Sequence, residues 1–166
     1  MLTLYCKGRT PKALGGIIRS MIIEVGSIDA MLKFGEKLGR LLRGGTIIEL
    51  VGDVGAGKTT FTKGLALGLD VKDDVQSPSF TISRVYEARD GLELAHYDFY
   101  RLSDAGIMKD ELAETMQSPM TITAIEWADI VEGILPEDRI TIQFVSPTEE
   151  TRTLTITGDE AILGKL

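Results

Sequence analysis

The 166-residue chain is poor in cysteine and carries no excess of positive charge. Cys6 is its only cysteine, so no internal disulfide can form, and we expect a reducing cytoplasm. The formal net charge of −7 argues against the broad basic face that nucleic-acid binding needs, although the chain could still act on RNA through a partner. No apolar run approaches the ~20 residues that span a bilayer. With these classes excluded, the length of 166 residues and the negative net charge indicate a single acidic, globular domain.

The most informative feature that is present runs from Gly52 to Thr59 and fits G-x-x-x-x-G-K-[ST], the phosphate-binding P-loop or Walker A motif. An apolar strand-like run precedes it and a helical pattern follows it, which is the context that the motif requires. Backbone N–H groups of such a loop, together with the helix N-terminus, bind phosphate. A plain glycine-rich turn does not require Lys-Thr at this offset. We therefore predict a nucleotide site formed by Gly52, Asp53, Val54, Gly55, Ala56, Gly57, Lys58, Thr59 and Thr60.

The remaining hydrophobic patterns predict an α/β fold, a P-loop NTPase-like mixed, mostly parallel sheet flanked by helices. The Asp90-Gly91 pair between two alternating runs is typical of a hairpin turn. The predicted strands are residues 21–25, 47–51, 82–88, 92–100, 121–125, 139–145 and 153–157. The predicted helices are residues 27–43, from the P-loop to about 68, 104–116 and 126–132.

Residues 1–20 are basic and lack periodicity. They resemble neither a secretory signal nor a good transit peptide. We expect a disordered N-terminal extension, consistent with an upstream start codon, followed by a single P-loop ATPase domain at residues 21–166.

Two acids are candidates for the chemistry of hydrolysis, which needs a metal-binding acid and a group that orients water. Glu126 follows the strand 121–125, where it could hold Mg²⁺ directly or through water. Asp98 lies in the run 92–100, whose inward face changes from leucine to His96 and Asp98, and it could position the attacking water or help to hold the metal. The plain alternatives are a surface glutamate and a turn or cap aspartate.

Other polar and aromatic residues have two open interpretations. His96 is the only histidine, and a hydrogen-bonded structural role is favoured for it. Trp127, the only tryptophan, could flank a nucleotide or a partner, or could equally pack in the core. Ser77, Ser79 and Thr81 could form a loop that senses the γ-phosphate, or could belong to an ordinary Ser-Pro turn.

Five blocks in this order resemble the bacterial TsaE family, the small ATPase of tRNA threonylcarbamoyladenosine biosynthesis. The first block, the P-loop, is shared with a vast superfamily, whereas the other four in this order are specific. The resemblance covers about Met21 to Thr157. The blocks are Gly52–Thr60, Ser77-Pro78-Ser79-Phe80-Thr81, His96-Tyr97-Asp98-Phe99-Tyr100-Arg101-Leu102, Ile125-Glu126-Trp127 and Ile134-Leu135-Pro136.

The resemblance implies roles for single residues. Lys58 and Thr59 would hold phosphate and Mg²⁺, and Glu126 would be the metal-associated acid. Asp98 would be the catalytic acid of the His-x-Asp-x-Tyr-Arg block, and Trp127 the aromatic beside the nucleotide.

The resemblance also places residues 27–30 and 151–152 near the adenine end, so that Arg152 joins the binding residues. The family commonly has Thr where this chain has Ser79, and the hydroxyl is kept.

The resemblance further implies ATP and Mg²⁺ as cofactors and a role that depends on partners. TsaE-like proteins join the TsaB–TsaD complex, which transfers a threonylcarbamoyl group to N6 of adenosine 37 in tRNAs that read codons beginning with adenine. Hydrolysis would support turnover of that complex. The implied ATPase would be weak alone and would contact tRNA only indirectly, in the cytoplasm and away from membranes.

Two rival functions remain open at this point. A small phosphotransferase usually has an arginine-rich lid, whereas the arginines here are spread singly. A nucleotide-gated binding module without turnover would need the P-loop but not the acids. A GTPase is less favoured because the chain has no Asn-Lys-x-Asp motif.

Overall fold

The computed structural model describes residues 17–148 and 151–166. A seven-stranded sheet lies at the centre, with the strand order β1-β7-β6-β2-β5-β4-β3. The strands are β1 (Ile18–Val25), β2 (Ile47–Val51), β3 (Ser83–Glu87), β4 (Glu93–Asp98), β5 (Thr121–Glu126), β6 (Ile140–Val145) and β7 (Arg152–Asp159). The helices are α1 (Ile28–Leu41), α2 (Lys58–Gly68), α3 (Met108–Gln117) and α4 (Glu160–Leu163), with 3₁₀ helices at Arg89–Gly91 and Ala128–Ile134.

The central strands of the sheet run parallel and the outer ones antiparallel. Strand β2 pairs in parallel with both β5 and β6, and β5 pairs in parallel with β4. The pairs β1–β7, β6–β7 and β3–β4 are antiparallel. Every residue of β5 is buried, as expected for a parallel strand covered on both faces. The prediction of a mixed sheet with a mostly parallel centre, flanked by helices, is confirmed.

Parallel pairing brings the carboxyl ends of three strands to one edge of the sheet. Asp98 at the end of β4 lies opposite Glu126 at the end of β5, and Glu126 in turn lies opposite Leu50 of β2. The P-loop leaves β2 immediately after Val51. This edge is where open α/β sheets bind ligands.

Helices α1 and α2 pack through glycines that bring their backbones into direct contact. A Cβ added at Gly35 would lie 2.5 Å from the Phe61 carbonyl oxygen, and one at Gly39 would lie 2.4 Å from that of Leu65. Facing them, a Cβ at Gly64 would lie 2.4 Å from the Leu32 carbonyl oxygen. Since α2 begins at the P-loop, this contact fixes the orientation of the loop relative to α1.

Several element boundaries differ from the sequence predictions. Strand β1 begins at Ile18 rather than Met21, so residues 18–20 belong to the sheet and not to the predicted arm. Residues 1–16 lie outside the described residues, and their assignment stays a prediction. Helix α3 begins at Met108 rather than 104 because the Asp104 carboxylate accepts a hydrogen bond from the Gly106 backbone N–H (2.9 Å), which forms a turn.

The end of β4 also differs, because the strand stops at Asp98 instead of Tyr100. Asp98 Oδ1 accepts the Tyr100 backbone N–H at 2.9 Å, and Arg101 has a φ of 70°, so the chain turns there. The predicted helix 126–132 is a 3₁₀ helix at Ala128–Ile134. The Asp90-Gly91 hairpin turn is confirmed by φ values of 60° and 73° at the two residues. Among the residues that the structure describes, no helix is long and apolar enough to cross a bilayer.

Candidate nucleotide site at the P-loop

The P-loop has a backbone conformation that depends on glycine. Gly52, Gly55 and Gly57 have φ values of 156°, 81° and 106°, in the region that side chains disfavour. Helix α2 begins at Lys58, immediately after Gly57. The sequence prediction of a strand, a glycine loop and a helix in this order is therefore confirmed by the structure.

The N-terminus of α2 lacks the side-chain cap that α1 has. In α1, Ser27 Oγ accepts a hydrogen bond from the Ala30 N–H at 3.1 Å. Within the described part of the chain, no side chain caps α2, and its first turn contains no acidic residue. The first N–H groups of a helix need an acceptor and carry partial positive charge, so this end of α2 fits an anion such as phosphate.

Lys58 is buried with its ammonium held by the loop itself. Its Nζ donates hydrogen bonds to the carbonyl oxygens of Gly52 at 2.6 Å and Asp53 at 2.9 Å. Burial lowers the pKa of Lys58, and the negative charges of Glu126, Asp98 and Asp53 oppose that shift. The lysine and both candidate acids therefore act on one another electrostatically in a single site.

Asp98 is buried and hydrogen-bonded on both carboxylate oxygens. Ser77 Oγ and Ser79 Oγ donate to Oδ2 at 3.0 and 2.5 Å, and the Tyr100 N–H donates to Oδ1 at 2.9 Å. The 77–81 loop, which the sequence left open between a switch and a plain turn, thus contacts one of the candidate acids through two hydroxyls.

Glu126 is 3% exposed and contacts the only histidine. His96 Nε2 lies 2.9 Å from Glu126 Oε1. The hydrogen-bonded structural role that the sequence favoured for His96 is consistent with this contact, but its partner could not be identified from the sequence.

Two side chains predicted at the nucleotide lie against the P-loop. The Trp127 ring lies 4.5 Å from Lys58 Nζ, measured to the ring centroid, and 5.0 Å from the Tyr100 ring. Arg152 Nη2 is 3.4 Å from the carbonyl oxygen of Gly55, a residue of the loop. The structure therefore brings both to the loop, where Trp127 packs against protein side chains while remaining half-buried.

The other predicted loop residues differ in exposure. Ala56 is buried and Thr59 and Thr60 are half-buried in the first turn of α2, whereas Asp53 and Val54 are exposed. A cleft of about 430 Å³ adjoins the loop and is lined in part by Gly52, Asp53, Ala56, Trp127 and Gln143. It offers space beside the P-loop for a bound molecule.

The donor set fits a magnesium ion bound together with phosphate rather than a metal held by protein alone. In residues 17–148 and 151–166, no group of three or more His, Cys, Asp or Glu side chains could hold a metal ion. Mg²⁺ keeps several waters and usually binds one or two carboxylates and the phosphates of its substrate. The hydroxyl of Thr59 and the carboxylate of Glu126 are oxygen donors of that kind.

Two ion pairs that Arg139 forms near the cleft were not predicted from the sequence. Arg139 Nε lies 2.7 Å from Glu49 Oε2 and its Nη2 lies 2.7 Å from Glu132 Oε1. Thr141 Oγ1 also donates to Glu49, at 3.1 Å. No sequence pattern links these residues, because they come from β2, the 3₁₀ helix and the start of β6.

Comparison with known proteins agrees with the family resemblance that the sequence shows. The family model described as "Threonylcarbamoyl adenosine biosynthesis protein TsaE" matches residues 25–154, a range that includes every predicted site residue. Curated proteins named "tRNA threonylcarbamoyladenosine biosynthesis protein TsaE" are similar to this chain. The one from Treponema pallidum is 38% identical over 124 residues, 75% of this chain and 90% of the relative. The one from Streptomyces coelicolor is 38% identical over 133 residues, 77% and 90% of the two chains.

A solved structure is similar as well. The crystal structure of YdiB from Bacillus subtilis has a TM-score of 0.73 and 28% sequence identity, and the likeness covers 90% of this chain and 95% of YdiB. Nearly the whole chain therefore shares one architecture with that protein.

Proposed function

The chain belongs to the TsaE family of tRNA threonylcarbamoyladenosine biosynthesis proteins, and from this premise we propose that it binds ATP with Mg²⁺ at the P-loop and hydrolyses it. The observation that carries the proposal is the meeting of three groups at one edge of the sheet. Lys58 follows β2, while Asp98 and Glu126 end the two neighbouring strands in register. A phosphate-binding loop beside two carboxylates is the arrangement that P-loop hydrolysis uses.

Phosphate binding falls to the loop and to the start of α2. The uncapped N–H groups of α2 would donate to phosphate oxygens. Lys58 would exchange its contacts with the Gly52 and Asp53 carbonyls for the phosphates. Trp127 and Arg152, which flank the loop, would contact the nucleotide beyond the phosphates.

Mg²⁺ would be held by the Thr59 hydroxyl and by Glu126, directly or through water. When bound, the ion neutralises charge on the phosphate oxygens. Asp98 would orient the attacking water from the neighbouring strand. Since Ser77 and Ser79 occupy Asp98 Oδ2, we propose that this loop responds to the γ-phosphate and thereby controls Asp98.

The family supports a role with partner proteins. We propose that the chain acts with a TsaB–TsaD complex in the cytoplasm, and that ATP hydrolysis supports turnover of the complex rather than the transfer of the threonylcarbamoyl group. The net charge of −7 supports this division, because the partners and not this acidic chain would bind tRNA.

A nucleotide-gated binding module without turnover is the second candidate. The observation in its favour is that both oxygens of Asp98 already accept hydrogen bonds from the protein. A carboxylate held in this way is less available to orient water. The two candidates differ in turnover: the ATPase hydrolyses ATP and loses hydrolysis in the Asp98→Ala and Glu126→Ala variants, whereas the binding module binds nucleotide without hydrolysing it.

The test is an ATPase assay with and without the TsaB–TsaD pair. We expect the pair to stimulate hydrolysis, Lys58→Ala to abolish it, and Asp98→Ala and Glu126→Ala to abolish it while retaining nucleotide binding. Asp110→Ala, at an exposed acid of α3, is the matched control. Unchanged rates in both acid variants would exclude the catalytic assignment, and hydrolysis that the pair does not stimulate would exclude the partner role.

A further inference from the structure

The only histidine of the chain is buried against the acid that ends β5. His96 lies on β4, two positions before Asp98, and its side chain is completely buried. Its Nε2 atom is 2.9 Å from Glu126 Oε1. This contact joins two adjacent strands at the edge of the sheet where the P-loop lies.

The surroundings of the other ring nitrogen, Nδ1, determine which tautomer His96 adopts. His96 Nδ1 is buried and has no hydrogen-bond partner among the described residues. A hydrogen on Nδ1 would therefore be a buried donor without an acceptor, which proteins avoid. The favoured tautomer carries its hydrogen on Nε2 and donates it to Glu126, whose carboxylate can only accept.

This hydrogen bond leaves one oxygen of Glu126 available. As far as the structure describes the chain, His96 is the only hydrogen-bond partner of the Glu126 side chain. Oε1 is held by the imidazole, and Oε2 remains for a cation or for a water on that cation. The nearby ammonium of Lys58 is a competing partner, yet Lys58 is bound to the Gly52 and Asp53 carbonyls while Glu126 is bound to His96.

We propose that His96 is a positioning residue, which holds the Glu126 carboxylate away from Lys58 and presents Oε2 to the Mg²⁺ of bound nucleotide. The inference rests on the proposed function, since it assumes that Glu126 serves the metal. Partners of this kind, which orient a metal-ligating group by a second hydrogen bond, tune metal affinity and activity.

The test compares two substitutions of similar length at His96. His96→Met removes the donor, whereas His96→Gln can place an amide N–H near the position of Nε2. Nucleotide binding is followed by the fluorescence of Trp127, the only tryptophan, which lies against Lys58. The Mg²⁺ concentration at half-maximal effect on ATP binding is the main readout, and kcat and KM are measured in parallel.

We expect His96→Met to raise the Mg²⁺ midpoint about 10–100-fold and to lower kcat, with the affinity for ATP in EDTA unchanged. His96→Gln should restore most of the Mg²⁺ affinity and most of the kcat that His96→Met loses. In a Glu126→Gln background, His96→Met should add little, because the histidine acts through that carboxylate. Thermal melts by circular dichroism check that each variant is folded. If His96→Met does not fold, His96→Asn replaces it, because its shorter amide ends near the Nδ1 position.

A folded His96→Met variant, or the His96→Asn variant that replaces it, with the wild-type Mg²⁺ midpoint would overturn the proposal. So would a glutamine variant as defective as the methionine one, or a full further loss in the Glu126→Gln background. A different result would contradict the proposed function and not the role of His96. A wild-type protein that binds ATP with Mg²⁺ but does not hydrolyse it contradicts the ATPase, while the midpoints still decide on His96. A wild-type protein without any Mg²⁺-dependent nucleotide binding refutes both.

Discussion

Arg89 connects the ends of the two helices that orient the P-loop, and its removal should destabilise the fold. Its guanidinium donates to the carbonyl oxygens of Gly39 (3.3 Å), Arg40 (3.2 Å) and Leu42 (3.1 Å) at the end of α1. It also donates to Gly68 O at the end of α2, at 2.8 Å. The side chain is 26% exposed, so water competes only in part for these carbonyls. A cation at two helix C-termini also interacts favourably with both helix dipoles.

The expected loss can be worked out from these contacts. Three of the hydrogen bonds, those to Gly39, Gly68 and Leu42, are partly buried, and each contributes about 1 kcal/mol net. We therefore expect Arg89→Met to lower the free energy of unfolding by about 3 kcal/mol. In a chain of this size, that corresponds to a fall in Tm of about 6–12 °C.

Thermal and urea unfolding followed by circular dichroism measure this change. Arg84→Met is the matched control, because Arg84 is exposed on the neighbouring β3 and its side chain forms no hydrogen bond or ion pair with any described residue. Arg89→Lys should fall between the two, since lysine keeps the charge but cannot span carbonyls on both helices. A Tm for Arg89→Met equal to that of Arg84→Met would refute the reasoning, because the four contacts would then contribute nothing.

Three further predictions test other features of the structure. In urea melts, Gly39→Ala should destabilise the fold by about 1–3 kcal/mol, because its Cβ would lie 2.4 Å from Leu65 O. Gly26→Ala is the control and should not destabilise the fold, because no atom lies within 4 Å of its Cβ. Equal effects of the two substitutions would contradict the close helix contact. Gly57→Ala forces a side chain onto a φ of 106°, and we expect at least about tenfold weaker ATP binding by calorimetry with the fold retained; unchanged affinity would show that the loop conformation is not needed. Burial raises the pKa of Tyr97 to about 12 from 10.0, so the free energy of unfolding should fall as the pH rises between these values. In urea melts, Tyr97→Phe should lack this pH dependence. Identical pH profiles of the two proteins would exclude Tyr97 as its source.

Prediction succeeded where a feature depends on residues close together in the chain. The P-loop follows from its own glycines and the hairpin turn from Asp90-Gly91. Helix α1 begins next to Ser27, where the predicted helix 27–43 starts, and Ser27 caps it. The predicted boundaries of α3 and β4 were wrong, because there a side chain competes with the regular backbone hydrogen bonds. Asp104 delays α3 and Asp98 ends β4, in each case because the backbone N–H two residues later donates a hydrogen bond to the carboxylate.

In the candidate site, too, the sequence predicts local features but not the contacts between residues that are distant in the chain. The sequence singled out both carboxylates as candidates, Glu126 because it follows an apolar strand and Asp98 because alternation along residues 92–100 places it on the inward face. It left the environment of each open, because the serines that hold Asp98 lie 21 and 19 residues before it. It also gave no sign of the glycine contact between α1 and α2, since close approach of two helices depends on their relative orientation.

By itself, the sequence of this chain determined the P-loop motif and the family, and it singled out two candidate acids, because these features depend on particular residues at short spacing or in a fixed order along the chain. Only the tertiary structure decided which groups meet. His96 contacts Glu126 across 30 residues, and Arg152 reaches Gly55 across 97. These contacts follow from the order of strands in the sheet, where β4 lies beside β5 and β7 lies beside β6. That order is set by how the helices and strands bury their apolar faces against one another, which no local spacing specifies.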